Sequence, residues 1–206
     1  KDIIREEFIA CAKDPSHFMR KYCYISHPQR GRIIFNLYPF QSKVLNLWRT
    51  NPYSLVLKSR QLGISTLAAG YALWLILFHS DKNVLCVATK VETAKNMVMK
   101  VKFMYNNLPS WLKEQEVPEE ENKLTFKLNN GSQIKAVSAA SDAGRSEAAS
   151  LLIIDEAAFI ENIDTIWASA QQTLATGGGA IVLSTPFGDR KSTRLNSSHP
   201  SRSRMP

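Results

Sequence analysis

The sequence predicts an α/β domain built on a mostly parallel sheet with helices on both of its faces. Short apolar segments of strand length alternate along the chain with longer segments of helical periodicity. Parallel strands need a crossover connection between them, and a helix is the usual crossover. Apolar residues make up 44% of the 206-residue chain, which is enough to bury such a sheet.

Helices are predicted where apolar residues recur at helical spacing and where a start signal precedes them. Asp14 and Pro15 supply the N-cap and the first helical residue of the second helix. The helix that begins at residue 91 has apolar residues at 94, 97, 98, 101 and 104. The predicted helices cover residues 2–13, 15–23, 39–49, 65–78, 91–106 and 163–174.

Strands are predicted from short apolar runs that are bounded by turn residues. Residues 123–128 and 132–137 alternate between polar and apolar side chains around an Asn-Asn-Gly turn, which is typical of a β-hairpin. Residues 114–121 are acidic and contain a proline, so we expect a loop there. The remaining predicted strands cover residues 32–37, 53–57, 83–88, 150–154 and 180–184.

Composition narrows the class of protein. No run approaches the roughly 18 apolar residues of a transmembrane helix. The first residues lack the charged-then-apolar layout of a signal peptide. The three cysteines, Cys11, Cys23 and Cys86, are scattered and form no C-x-x-C pair. This spacing favours a reducing compartment over a disulfide framework or a zinc site.

The net charge of +8 suggests a nucleic-acid-binding protein, but half of that charge lies in residues 189–206. This segment has five basic residues against a single acidic one, whereas the rest of the chain has 21 basic and 17 acidic residues. A solvated basic surface explains the remaining excess as well as a DNA-binding groove does.

The tail, residues 189–206, is polar and aperiodic, so we expect it to be disordered. A basic arm that binds nucleic acid is the functional alternative. The run Asp189–His199 resembles the translation of a common short-read sequencing adapter, and Ser203–Pro206 continues that adapter in the same frame. We therefore interpret the tail as adapter-derived and expect the natural chain to differ after about Gly188.

The segment Lys58–Thr66 lies between a predicted strand and a predicted helix, where a phosphate-binding loop would lie. The usual loop has the pattern G-x-x-x-x-G-K-[ST]. Gly63 and Ser65 match its second glycine and its hydroxyl, but Ile64 replaces the lysine and Lys58 replaces the first glycine. Because the loop folds back around the phosphates, Lys58 would present its ammonium group from the strand side. An ordinary strand–turn–helix with basic turn residues is the alternative.

We call Lys58–Thr66 the phosphate loop. Arg60 would add a second cation and is a catalytic candidate, and the hydroxyl of Ser65 would hold Mg²⁺. The nucleotide-binding candidates in the phosphate loop are Lys58, Ser59, Arg60, Gln61, Leu62, Gly63, Ile64, Ser65 and Thr66.

Two carboxylates, Asp155 and Glu156, follow the apolar run Leu151–Ile154. In a parallel sheet, ligands bind at the carboxyl ends of the strands. Asp155 would hold Mg²⁺ through water, and Glu156 would orient and deprotonate the attacking water. The alternative is a pair of acidic N-cap residues for the segment 157–160.

Ser184 and Thr185 end the last predicted strand. A small hydroxyl at this place would contact a γ-phosphate, so both residues are candidates for sensing the nucleotide. A strand followed by a plain turn with proline and glycine is the alternative.

Together these motifs resemble the large terminase subunit of tailed bacteriophages, the ATPase that packages DNA into the capsid. The resemblance covers about residues 20–188 and rests on four stretches: Tyr38–Gln41, Ser59–Gly63, Leu151–Ile160 and Ser184–Gly188. It implies a P-loop NTPase fold of the ASCE type, truncated on its C-terminal side. It implies an N-terminal helical segment on the adenine side at residues 1–52 and a truncated ATPase core at residues 53–188. The adapter-derived tail at residues 189–206 is the third region.

The resemblance also implies roles for single residues. Phe40 and Gln41 correspond to the pair that contacts adenine, although the first turn of an amphipathic helix is the alternative for both. Some terminases carry a lysine at the start of the phosphate loop, so Lys58 corresponds to a working lysine. Arg145 lies where some terminases place an arginine that acts on the neighbouring subunit's ATP, and a solvated loop arginine is its alternative.

The function expected from the resemblance is ATP hydrolysis with Mg²⁺ that drives double-stranded DNA into a procapsid. The expected partners are the DNA, the portal protein, the small terminase subunit and further copies of the chain in a ring. The expected place is the host cytoplasm at the procapsid portal, with no membrane and no nuclease domain in this chain. The alternatives are another ASCE ATPase, such as a helicase, and a non-hydrolysing nucleotide-binding docking module.

Overall fold

The computed structural model describes residues 2–114, 116–138, 148–174 and 177–186. Seven α-helices lie in this part of the chain, and a short 3₁₀ helix, Ala157–Phe159, follows the acidic motif. The helices are α1 (Asp2–Lys13), α2 (Pro15–Tyr22), α3 (Pro39–Thr50), α4 (Ile64–Phe78), α5 (Val91–Asn106), α6 (Ser110–Lys113) and α7 (Ile163–Leu174).

Nine strands form two sheets within the described residues. The strands are β1 (Tyr24–His27), β2 (Gly31–Ile34), β3 (Tyr53–Leu57), β4 (Asn83–Ala88), β5 (Pro118–Glu121), β6 (Thr125–Leu128), β7 (Gln133–Ser138), β8 (Leu151–Ile154) and β9 (Gly179–Ser184). Strands β1 and β2 form an antiparallel pair, and the other seven form one sheet in the order β3-β9-β8-β4-β7-β6-β5.

The five strands from β3 to β7 in this order are parallel, and β6 and β5 extend the sheet as antiparallel strands. Strand β9 lies between β3 and β8, so these two strands are not neighbours in the sheet. The predicted mostly parallel sheet is confirmed.

Helices cover both faces of the sheet. Alternate residues of the central strands point to opposite faces, and they belong to two separate apolar clusters. Val84, Cys86, Ile153 and Ile181 pack on the face that carries α4 and α5. Leu85, Val87, Ile154 and Val182 pack on the face that carries α7. Helix α4 is apolar on nearly all sides and is buried along most of its length, as expected of a helix in the middle of a domain.

The N-terminal helices share the core of the sheet. Phe18 is fully buried and its ring contacts the ring of Phe78 edge to face, with the centroids 5.2 Å apart. Gly70 of α4 leaves room for Met19, since a Cβ at Gly70 would lie 2.9 Å from the Met19 sulfur. Residues 1–52, set apart by sequence as an N-terminal segment of the ATPase domain, thus pack directly on residues of the 53–188 segment.

Most predicted elements are confirmed, and the differences have physical causes. The prediction of a loop at 114–121 was wrong for Pro118–Glu121, which forms β5 through backbone pairing with β6 and buries no side chain. The expected strand at 32–37 is shorter, at Gly31–Ile34, and pairs with β1, which no apolar alternation marks. The expected N-cap of α2 is confirmed, since Asp14 Oδ1 accepts a hydrogen bond of 2.8 Å from the amide of Ser16.

Among the described residues, no helix is both long enough and apolar enough to cross a membrane. The proposed adapter-derived tail lies outside the described residues.

Phe18→Ala should lower the free energy of unfolding by about 3–5 kcal/mol, because it leaves a cavity between the N-terminal helices and α4. Urea denaturation followed by circular dichroism measures this change. Ile3→Ala is the control from the same segment: its side chain is 82% exposed, so stability should change by less than about 0.5 kcal/mol. A second, separate unfolding transition for the N-terminal segment would contradict the shared core.

Candidate active site

Three neighbouring strands bring the sequence motifs to one edge of the sheet. Strand β3 leads into the phosphate loop, β9 ends at Ser184, and β8 leads into Asp155 and Glu156. The backbone hydrogen bonding between β3 and β9 continues one residue past the end of β3, where the Lys58 amide donates to the Ser184 carbonyl at 2.9 Å. The hydrogen bonding between β8 and β4 likewise continues past the end of β8, where the Asp155 amide donates to the Val87 carbonyl at 2.9 Å.

The side chain of Lys58 reaches across the end of β9 to both carboxylates. Its Nζ lies 2.9 Å from Oε1 of Glu156 and 3.6 Å from Oδ1 of Asp155. Only 9% of the Lys58 side chain is exposed. A charge this poorly solvated needs partners of opposite sign, and the two carboxylates supply them.

Glu156 is held by its backbone and by three contacts. It has φ 55° and ψ 43°, a left-handed conformation that is uncommon for a residue other than glycine. Its amide donates to Oδ1 of Asp155 at 3.0 Å, and its Oε2 accepts from the hydroxyl of Thr185 at 3.1 Å. The carboxylate therefore has one oxygen on Lys58 and the other on Thr185.

These contacts set the ionisation of Glu156. Burial raises the pKa of its carboxyl, but the hydrogen bonds and charge of Lys58, together with Thr185, outweigh burial and bring the pKa below its ordinary value. Glu156 is thus a carboxylate at neutral pH. Its stabilising contact with Lys58 is present above the ordinary pKa and is lost as the pH falls through the lowered one.

The two hydroxyl candidates at the end of β9 differ in what they contact. Ser184 is fully buried; its hydroxyl accepts from the amide of Ala158 and donates to the carbonyl of Thr185, both at 3.0 Å. Both bonds thus go to backbone groups, one in the 3₁₀ helix and one directly after β9. Thr185 instead directs its hydroxyl to Glu156, so Thr185 is the better placed of the two to contact a ligand at this edge.

The phosphate loop contains two left-handed residues, Gln61 with φ 63° and Gly63 with φ 70°. Helix α4 begins directly after Gly63, so its first amide groups face the loop. The side chains of residues 59–62 are exposed. Ile64, in contrast, is only 2% exposed and belongs to the core. Position 64 is therefore an apolar anchor for the helix, and the only lysine of the loop comes from the strand side.

The predicted adenine-contacting pair lies at the start of α3. Phe40 is partly exposed and its ring stacks on that of Tyr38, with the centroids 5.7 Å apart and an angle of 7° between the planes. Gln41 is 1% exposed. Its amide nitrogen donates to the Leu62 carbonyl at 3.0 Å and its Oε1 accepts from the Tyr38 amide at 2.9 Å. The structure thus joins Gln41 to the phosphate loop.

Sequence reasoning missed Lys100, which lies near the acidic motif on α5. Lys100 and Thr66 of the phosphate loop line the same cavity of about 380 Å³. Burial lowers the pKa of the Lys100 ammonium group, the charge of Asp155 opposes this effect, and the charge of Lys58 adds to it. No motif marks Lys100, since a lysine beside an apolar helix face is ordinarily solvated.

One group of possible metal ligands, Glu7, Cys11 and His17, occurs among the described residues. Glu7 is already paired, with Oε1 2.7 Å from Nε2 of His17 and Oε2 2.9 Å from Nζ of Lys21. The hydrogen bonds from Lys21 and His17 lower the pKa of Glu7 to about 2. Both carboxylate oxygens of Glu7 thus already have partners, so we interpret these residues as a polar network that joins α1 to α2.

The remaining predicted site residue, Arg145, lies outside the described residues, as do Phe187 and Gly188 of the third motif. The structure therefore brings together Lys58, Asp155, Glu156, Ser184 and Thr185 at the edge of the sheet, with the phosphate loop beside them.

Solved structures of phage packaging proteins share this fold. The HK97 bacteriophage large terminase aligns with a TM-score of 0.65 and 20% identity, over 84% of this chain and 37% of that one. The ATPase domain of the Thermus phage P74-26 large terminase aligns with a TM-score of 0.63 and 18% identity, over 75% and 66%. The large terminase of the thermophilic bacteriophage D6E with ADP aligns with a TM-score of 0.55 and 12% identity, over 72% and 38%.

At these identities the similarity shows the fold, and the present chain spans little more than a third of the HK97 protein. The sequence comparison goes further, because residues 55–194 match the family described as "Terminase large subunit, T4likevirus-type, N-terminal". That match includes the phosphate loop, both carboxylates and the end of β9. The chain belongs to the family of large terminase subunit N-terminal domains.

Proposed function

We propose that this chain binds and hydrolyses ATP with Mg²⁺ at the carboxyl edge of its sheet, and that the complete protein uses this reaction to move double-stranded DNA into a procapsid. The observation that carries the proposal is the contact of Lys58 with Asp155 and Glu156 at the start of the phosphate loop. Family membership supports the packaging role.

Substrate binding would use the phosphate loop and the first turn of α4. The amide groups there favour an anion, and Lys58 and Arg60 would add two positive charges. The hydroxyl of Ser65 and the carboxylate of Asp155 fit Mg²⁺, because this ion prefers hard oxygen ligands. When bound, Mg²⁺ would neutralise charge on the phosphates.

Hydrolysis would use Glu156 as the general base. As the phosphate draws Lys58 away, Oε1 of Glu156 becomes free to accept a proton from the attacking water. The bond from Thr185 to Oε2 holds the carboxylate in place meanwhile. Thr185 would in this way connect the γ-phosphate to the base.

The stacked rings of Tyr38 and Phe40 offer a flat, partly exposed surface for the adenine base. The D6E large terminase, a solved structure with the same fold, has been solved with ADP and with ATP-γ-S. These observations support a nucleotide as the ligand.

The proposed partners follow from the family: double-stranded DNA, the portal protein, the small terminase subunit and further copies of the chain in a ring. The proposed location is the host cytoplasm at the procapsid portal. A non-hydrolysing nucleotide-binding module is the second candidate, since Ile64 stands in place of the usual lysine. Steady-state turnover of Mg-ATP separates the two, because only the first releases phosphate.

Lys58→Ala should lower ATP turnover at least about 100-fold, because it removes the positive charge that faces the transferred phosphate. Phosphate release at saturating Mg-ATP measures it. Lys43→Ala is the matched control, since Lys43 lies exposed on α3, and its turnover should equal that of the wild type. Wild-type turnover by Lys58→Ala would contradict the proposal that the shifted lysine works.

Glu156→Gln should reduce hydrolysis at least about 100-fold while Mg-ATP binds as tightly as to the wild type or more tightly. The amide cannot accept the proton of water, and it no longer holds Lys58 by charge. Calorimetric affinity and single-turnover kinetics measure the two effects. Glu92→Gln, an exposed position on α5, should change neither, and loss of binding by Glu156→Gln would make that residue structural.

Arg145 is proposed to act on the ATP of a neighbouring subunit, a role supported by the resemblance of its sequence position. Arg145→Ala and Glu156→Gln subunits should then regain part of the lost turnover when mixed, because each supplies what the other lacks. The experiment needs a preparation in which the two variants demonstrably co-assemble. No recovery at any ratio of the two would favour a solvated arginine.

A further inference from the structure

Gln41 is one of only four buried polar side chains in the described part of the chain. Burying an amide without partners is costly, so its two hydrogen bonds decide what this residue does for the fold. Its Oε1 accepts from the Tyr38 amide at 2.9 Å, which closes the first turn of α3.

The nitrogen of the Gln41 side-chain amide contacts a residue outside α3. Its Nε2 donates to the carbonyl of Leu62, 21 residues further along the chain, at 3.0 Å. One side chain therefore joins the start of α3 to the phosphate loop. The proximity extends to the next residue, since a Cβ at Gly63 would lie 2.9 Å from the same nitrogen.

This bond sets the direction of a loop amide. The peptide bond between Leu62 and Gly63 is planar and trans, as are all described peptide bonds, so its C=O and N–H groups point in opposite directions. Holding the Leu62 carbonyl on Gln41 thus turns the Gly63 N–H away from Gln41. Amide groups in a phosphate loop bind the ligand through their N–H, so their direction is the property that matters.

The same burial argues against direct reading of the base by Gln41. With 1% of its surface exposed, its amide has almost no face left for a ligand. The neighbouring rings of Tyr38 and Phe40 are 61% and 38% exposed and stack on each other. The base-facing surface and the buried amide are therefore different parts of the same helix start.

We infer that Gln41 is a positioning residue of the phosphate loop: it holds the Leu62 carbonyl and so orients the loop for any nucleoside triphosphate, whatever its base. This inference rests on the proposed nucleotide site. It separates the affinity for the triphosphate, which depends on Gln41, from the affinity for the base, which depends on the aromatic surface.

The test compares the affinities of the 206-residue chain for Mg-ATP, Mg-GTP and inorganic Mg-tripolyphosphate by calorimetry. Gln41→Met is the first variant, because methionine is neutral and similar in length but forms neither hydrogen bond. All three affinities should fall by the same factor, about tenfold, which is the scale of one buried hydrogen bond left unmade. Phe40→Ala should lower the affinities for Mg-ATP and Mg-GTP and leave the affinity for Mg-tripolyphosphate unchanged.

Gln41→Glu is the second variant. An ionised carboxylate still accepts from the Tyr38 amide but cannot donate to the Leu62 carbonyl, and its charge also repels the phosphates. The loss should therefore be base-independent and at least as large as that of Gln41→Met. Leu45→Val is the stability control: it changes a fully buried residue of the same helix and should lower the melting temperature without changing the affinities of the folded protein.

A loss confined to Mg-ATP in both Gln41 variants would overturn the inference and make Gln41 a reader of adenine. Unchanged affinities for all three ligands would overturn it as well. If the wild-type chain binds none of the three ligands, the proposed nucleotide site itself is wrong, so the two failures are distinguishable.

Discussion

The parallel pairing of β3, β9 and β8 is the constraint on which the rest of the site depends. Leu57 pairs with Ser184 across one side of β9, and Ile154 pairs with Val182 across the other. The next residues of β3 and β8 thus continue on either side of Ser184 and Thr185. A slip of one residue would turn every side chain of a strand to the opposite face and separate Lys58 from the carboxylates.

One lysine faces two carboxylates at this edge of the sheet. Lys58 is poorly solvated, and removing either carboxylate would leave it with a single partner of opposite charge. The same groups suit a reaction in which a phosphate becomes the new partner of the lysine. The left-handed backbone of Glu156 then has a physical reason, because that conformation turns the carboxylate toward Lys58 and Thr185 at once.

The sequence was informative wherever a local pattern carries the structure. The bounds of β3, β4, α5 and α7 were predicted to the residue, because each is an apolar run or an apolar periodicity between clear turn signals. Strand β5 was missed because Pro-Glu-Glu-Glu has no apolar side to recognise, and only its pairing with β6 makes it a strand.

The same distinction holds for the site. The residues at the ends of β3, β8 and β9 were predicted as candidates, since polar residues follow apolar runs there. Their contacts were not predicted. Lys58 and Glu156 are 98 positions apart in the sequence, and they meet because β9 lies between the strands that carry them. The bond between Gln41 and Leu62 is likewise set by how α3 packs, which no spacing in the sequence encodes.

The two edges of the large sheet are chemically unequal. Strand β5 presents a proline, which lacks a backbone donor, and three exposed glutamates, of which Glu119 and Glu121 pair with lysines. Among the described strands, β3 forms the opposite edge and carries Tyr53 and Leu57, whose side chains are partly exposed and apolar. Of these two edges, β3 is the one without charged side chains, so it is the more favourable edge for a further strand. A strand added at β3 would lie beside the phosphate loop, because that loop directly follows β3.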